Sequence, residues 1–146
     1  MNQQVVKINK LREDATIPVY GSEYSAGADL YACIDEPVKI KKGETAFIST
    51  GISMEIPDGL VGLLFARSGL GCKRGLAPAN KVGVIDSDYR GDIVVALHNH
   101  SKEEQVIEKN DKIAQMVFMP YVKGIFKEDN LTDTKRGTGG FGSTGK

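Results

Sequence analysis

An all-β fold is what this sequence predicts, and three observations carry the prediction. Short runs of alternating or β-branched residues recur between glycine, proline and aspartate turns. One brief stretch, Ser68 to Lys73, reads as helical, a turn or two opened by Ser68 as N-cap. No internal repeat or interdomain linker interrupts the chain, so the strands belong to one sandwich or barrel.

Taken in order, the expected strands begin with Val5–Ile8 and Ala15–Val19, both β-branched at alternate positions. Val38–Ile40 and Thr45–Thr50 flank a turn at Lys41-Lys42-Gly43. Ser53–Ile56 and Leu60–Ala66 flank Pro57-Asp58-Gly59, a proline and glycine turn. Lys81–Ile85 and Asp92–Asn99 enclose an aspartate-rich turn, and Gln105–Ile107 and Lys112–Met119 complete the set. The packed body is expected to span residues 1–131 and to give way near Leu131 to a tail, residues 132–146.

The totals exclude several classes of function. At 146 residues the chain is one domain, long enough to bury about 70% of its unfolded surface. Nineteen acidic and nineteen basic residues cancel, so no net field draws it to nucleic acid or to a membrane. No apolar run approaches a membrane span, and MNQQVVKINK is not a secretory signal, so a cytoplasmic protein is expected. Cys33 and Cys72 lie far apart without metal-ligand spacing and read as reduced thiols. His98 and His100 share a face of one expected strand, too few ligands for a metal site.

The tail, TDTKRGTGGFGSTGK, is too rich in glycine to fold alone. Its amides, Arg136, Ser143 and Thr144 are donors suited to a polyphosphate, and Phe141 is a flat apolar lid. Gly140 to Lys146 fits G-x-x-x-x-G-K, but a P-loop needs a helix next, and none follows. The tail therefore reads as a flexible segment that orders on a nucleotide.

Four further stretches carry chemistry. Ser25 to Ala32 places Asp29 after glycine, where it is either a turn former or a carboxylate gripping the water shell of Mg²⁺. Gly62 to Gly71 runs into Arg67-Ser68-Gly69, which is either a helix cap with a surface arginine or a phosphate site. Asn80 to Asp92 crowds three aspartates and Tyr89 into a turn. Asp86 follows an apolar strand and is placed to orient or deprotonate water, and Tyr89 to pack on a sugar and exclude a 2′-OH. In Asn110 to Pro120, alternation puts Gln115 on an apolar face, where its amide needs a backbone or ligand partner.

These four stretches and the tail, in that order, resemble the five motifs of the trimeric deoxyuridine triphosphatase (dUTPase) family, from Ala26 to Gly145. Arg-Ser-Gly, Gly-Val-Ile-Asp-x-Asp-Tyr-x-Gly and Arg-Gly-x-Gly-Gly-Phe-Gly-Ser-Thr-Gly carry the specificity. The resemblance implies a distorted β jelly roll of the β-clip type, assembled as a homotrimer. Its active sites are shared, each closed by the tail of a neighbouring subunit. It implies an enzyme, a dUTP diphosphatase, that cleaves dUTP to dUMP and pyrophosphate. Water attacks the α-phosphorus in line, assisted by Mg²⁺. This lowers dUTP and supplies dUMP for thymidylate synthesis.

By the same resemblance, Asp86 is the catalytic residue that positions and activates water, and Tyr89 lies beneath the deoxyribose. Asn80, the backbone of Gly83, Val84 and Ile85, and Val94 read uracil, over which Phe141 stacks. Arg67, Ser68, Gly69 and Gln115 bind phosphates, joined by Arg136, Gly142, Ser143 and Thr144 on the γ-phosphate. Asp29 holds Mg²⁺ through water. Two departures, Ala66 where proline is common and Ala28 where an aromatic is usual, remove no ligand group. A related deaminase branch acts on dCTP, but its catalytic glutamate would fall at Ala96, which cannot carry a proton. A non-catalytic nucleotide sensor is disfavoured because Arg67, Asp86, Tyr89 and the tail are all present.

Overall fold

Along Leu60–Phe65 and Val94–Asn99 burial follows the strand period of two, with alternate side chains turned inward. The computed structural model describes residues 3–141. Its strands are β1 (Lys7–Lys10), β2 (Val19–Tyr20), β3 (Ala28–Tyr31), β4 (Val38–Ile40), β5 (Thr45–Ser49), β6 (Ile52–Glu55), β7 (Leu60–Phe65), β8 (Leu76–Pro78), β9 (Gly83–Ile85), β10 (Val94–Asn99), β11 (Gln105–Ile107) and β12 (Lys112–Pro120). All pairings are antiparallel.

Five strands, in the order β2-β3-β12-β7-β9, form the largest sheet, and β5-β10-β8 form a second. The pairs β1-β6 and β4-β11 complete the arrangement. The core lies between these layers and includes Leu30, Ile40, Ile48, Leu97, Ile107 and Ile113, each with no exposed surface to within 1%. Burying one such side chain contributes roughly 1.5–3 kcal/mol. Among the described residues, no helix is long and apolar enough to cross a membrane.

The structure departs from the sequence reading at identifiable places. Ala28–Tyr31 is a strand, not a turn, because β2 and β12 pair with it on either side. Leu76–Pro78 is a short strand held by β10, with a proline that sequence alone argues against. Ala15–Val19 is replaced by a strand of two residues, Val19–Tyr20.

The helical turn is real but differs in kind. Gly69–Lys73 is a single π turn, and Ser68, itself in helical conformation, makes no side-chain cap. A five-residue turn supplies little dipole, so the expected N-cap contribution from Ser68 is absent. His100 falls beyond the end of β10 and is exposed, so the two histidines do not share a strand face. His98 Nδ1 is hydrogen-bonded to Thr45 Oγ1. Cys33 is buried and Cys72 exposed, both free.

Candidate active site

Asp29 on β3 lies opposite Gln115 on β12, and Gln115 lies opposite Phe65 on β7. Three adjacent strands therefore deliver Asp29, Gln115 and, two residues past Phe65, Arg67 to one place. They line a cavity of about 400 Å³ together with Ser25, Gly27 and Ser68. The Gln115 amide donates to the Ala66 carbonyl at 2.9 Å, which fixes the strand end before Arg67. A Cβ on Gly27 would stand 2.4 Å from Gln115 Oε1, so glycine there leaves room for the amide.

The Asp29 carboxylate is nearly buried and holds a cation on each oxygen. Arg67 Nε donates to Oδ1 at 2.7 Å, and Lys112 Nζ lies 2.9 Å from Oδ2. The hydrogen bond to Asp29 raises the Lys112 pKa above its ordinary 10.5. Asp29 and Arg67 line the cavity and Lys112 pairs with Asp29 beside it, so the cluster at this wall carries one negative and two positive charges, a net charge suited to a polyphosphate. Gly69 meets nothing within 4 Å of a would-be Cβ and has no left-handed φ, so neither packing nor backbone conformation demands glycine there.

Lys112 was invisible to the alternation argument. Counting from Gln115, it belongs on the opposite face of β12. A register shift between Lys112 and Ala114 changes this, placing Lys112 opposite Tyr31 on the Asp29 side. A basic residue three positions before Gln115 was the available signal.

A second cavity, about 250 Å³, is lined by Asn80, Gly83, Val84, Ile85 and Val94, with Phe47 and Ala96 beside them. β9 is the end strand of its sheet, bonded only to β7, so one backbone edge has no strand partner. β10 is covered by β8 only from Leu97 to Asn99, leaving Val94 beside the recess. Unladdered peptide groups beside an apolar recess can read the hydrogen-bonding edge of a flat ring. The Phe47 ring was not anticipated from sequence; an aromatic at an outward position of β5 was its only mark.

Asp86 and Tyr89 occupy the turn after β9 and line neither cavity within this chain. The Tyr89 amide donates to the Asp86 carbonyl at 3.2 Å, and the Tyr89 hydroxyl donates to the Asp92 carbonyl at 3.0 Å. A Cβ on Gly91 would meet Tyr89 Oη at 2.4 Å, so the ring folds over that glycine. Asp86 is exposed, and its carboxylate has no hydrogen-bond partner among the described residues. Asp92 is structural: it accepts from Ser49 Oγ at 2.5 Å and from the Gly51 amide at 3.1 Å.

Beyond β12 no strand occurs among the described residues, and residues 121–138 are exposed. Arg136 Nε bonds only the nearby Gly139 carbonyl, at 2.9 Å, and Phe141 is fully exposed. Neither reaches either cavity of its own chain. Gly142, Ser143 and Thr144 lie outside the described residues.

A β fold with a cationic cavity and a separate apolar recess edged by free backbone has the chemistry to hold a phosphorylated nucleoside. The model of the dUTPase family matches residues 13–145, and the chain belongs to that family. It is 48% identical over 149 residues to a protein of Desulfitobacterium hafniense (strain DSM 10664 / DCB-2) named deoxyuridine 5′-triphosphate nucleotidohydrolase, with 99% of each chain covered. The fold is similar to the dUTPase of Staphylococcus bacteriophage 80alpha with dUPNHPP, with TM-score 0.85 and 27% identity, covering 99% of this chain and 100% of that one. It is also similar to a variant dUTPase from phage phi11 of S. aureus, described for its coordination of a structural Mg(II) ion. That likeness has TM-score 0.81 and 25% identity, covering 90% of this chain and 100% of that one.

Proposed function

We propose that the chain is a dUTP diphosphatase, cleaving dUTP to dUMP and pyrophosphate by in-line attack of water on the α-phosphorus. One observation carries this reading. Residues of the first, second and fourth stretches meet at the cationic cavity, while those of the third line the apolar recess. A triphosphate and a base are the ligand parts that suit these two environments. The Desulfitobacterium relative's name and the dUTP analogue held by the phage enzyme point the same way.

Both Asp29 oxygens carry a cation, so a bare divalent ion has no open carboxylate there. Each oxygen retains a lone pair for a hydrogen bond from a water ligand, and Mg²⁺ keeps several waters. The residues thus fit Mg²⁺ arriving with the triphosphate and held through its hydration shell by Asp29. When bound, the ion would supply positive charge against the triphosphate and the leaving pyrophosphate.

The chain's own groups do the rest. Arg67 spends Nε on Asp29, and its Nη groups, which have no partner among the described residues, are free to take phosphate oxygens. Ser68 and the uncovered backbone at Gly69 allow close approach of phosphate, and Gln115 donates beside them. Asn80 and the edge of β9 read uracil with Val94, and Tyr89 packs against the deoxyribose. Asp86 accepts the proton of the attacking water and touches the 3′-OH. Ala96, lining the base recess, offers no group to deaminate a base.

The two cavities share no lining residue, and Asp86 reaches neither. A complete site then needs other copies of the chain, which supports a homotrimer with shared sites. Residues 1–131 form its body, and the arm 132–146 closes a neighbour's site. In that closure Phe141 covers uracil, while Arg136, Gly142, Ser143 and Thr144 grasp the γ-phosphate. We place the enzyme in the cytoplasm, supplying dUMP for thymidylate synthesis. Pyrophosphate release should be measured from dUTP, UTP, dTTP and dCTP, with and without Mg²⁺. Rapid release from dUTP alone, dependent on Mg²⁺, is expected. Comparable release from all four, or ammonia from dCTP, would refute the proposal.

A further inference from the structure

We propose that Phe47 is a further specificity-determining residue, its ring forming the apolar wall against which the deoxyuridine moiety packs. This rests on reading the smaller cavity as the nucleoside site. Along β5 the pleat sends Ile48 into the core with no exposure and turns Phe47 out with 77% of its surface uncovered. In register, Phe47 stands opposite Ala96 and Ser49 opposite Val94. A small alanine as cross-strand neighbour leaves the ring uncovered.

The surroundings give that ring a direction of use. Phe47, Val84 and Val94 are all exposed apolar side chains, and all three line one recess. Solvated apolar surface gathered at a cavity marks a place where a ligand displaces water. Asn80 and the backbone edge of β9 lie in the same recess. One side is therefore apolar and aromatic, the other polar and directional. A pyrimidine nucleoside has that same division, with a flat apolar body and a hydrogen-bonding edge. Phosphate has no such body, so Phe47 acts on the nucleoside end alone.

Wild type, Phe47→Ala and Phe47→Leu should be compared by dUMP titration, dUTP kinetics, competition with inorganic triphosphate, melting temperature and solution mass. Phe47→Ala is expected to raise the dUMP Kd and the dUTP KM by one common factor of roughly five, with kcat little changed. Phe47→Leu should restore most of the loss, and inorganic triphosphate should compete equally well with all three proteins. Unchanged dUMP affinity in Phe47→Ala overturns the role. So does a fall in mass or melting temperature that weakens dUMP and triphosphate together, since the ring would then serve assembly. If wild type itself fails to bind dUMP, the nucleoside reading of the cavity falls, and the role of Phe47 with it.

Discussion

Arg67 Nε lies 2.7 Å from Asp29 Oδ1, so an arginine expected on phosphate and an aspartate expected on metal are one bonded unit. Lys112 closes that unit on the other oxygen. Asp29→Asn would leave two cations without their shared anion and let the guanidinium swing. Charged hydrogen bonds of this type are each worth about 1.5–3 kcal/mol. We expect kcat/KM for dUTP to fall roughly 10–100-fold, with a smaller fall for Lys112→Ala, by steady-state kinetics. Wild-type kcat/KM in Asp29→Asn would show the unit to be dispensable.

The free carboxylate at Asp86 leads to a sharper expectation. Asp86→Asn keeps size and shape but cannot accept a proton. Turnover should drop about 10²–10⁴-fold while dUMP affinity stays within a few-fold of wild type. Normal single-turnover cleavage by this variant would remove Asp86 as the base.

Tyr89 is held by its bond to the Asp92 carbonyl and by the absence of a side chain at Gly91. Gly91→Ala must displace the ring, because the new methyl would overlap it. The relaxed sugar site should admit a 2′-OH, and the preference for dUTP over UTP should shrink by about tenfold. An unaltered preference would show that the ring does not gate the sugar.

Removing residues from Arg136 onward deletes a segment whose described part, residues 136–141, lines neither cavity of its own chain. The truncated protein should melt like wild type and retain its solution mass, with severely reduced dUTP turnover. Unchanged kinetics would exclude the arm from catalysis.

Acid stability has a separate origin. Arg12 donates to both Asp14 and Asp35, and Lys109 also pairs with Asp14. Arg12 first, then Lys109, holds the Asp14 carboxyl far below its ordinary 3.8, and Arg12 holds Asp35 below it too. A depressed carboxylate stabilises the fold above its unfolded pKa and loses that contribution as pH falls through the folded value. Melting temperature should therefore decline below about pH 4, less steeply in Asp14→Asn and less steeply in high salt, since the groups are solvent-facing. Parallel acid profiles for variant and wild type would rule this network out.

Strand positions were legible wherever β-branched runs met strong turns: Val38–Ile40 and Gln105–Ile107 match to the residue. β3 was not, because Gly-Ala-Asp-Leu suggests a turn until neighbours on both sides recruit it. The candidate residues could be named from their motifs, but the face of Lys112 depended on a bulge that alternation cannot anticipate. Phe47 became notable only once its cross-strand partner proved to be alanine. Of the three crowded aspartates, only the fold revealed that Asp92 ties the turn at Ser49–Gly51 rather than facing a ligand.

Leu64 borders the smaller, apolar recess and Phe65, its immediate neighbour on β7, borders the larger cavity beside Arg67. Six paired positions with β12 lock that order. A slip of one residue would invert both surfaces simultaneously. A mispaired chain would therefore lose both linings together, never one alone.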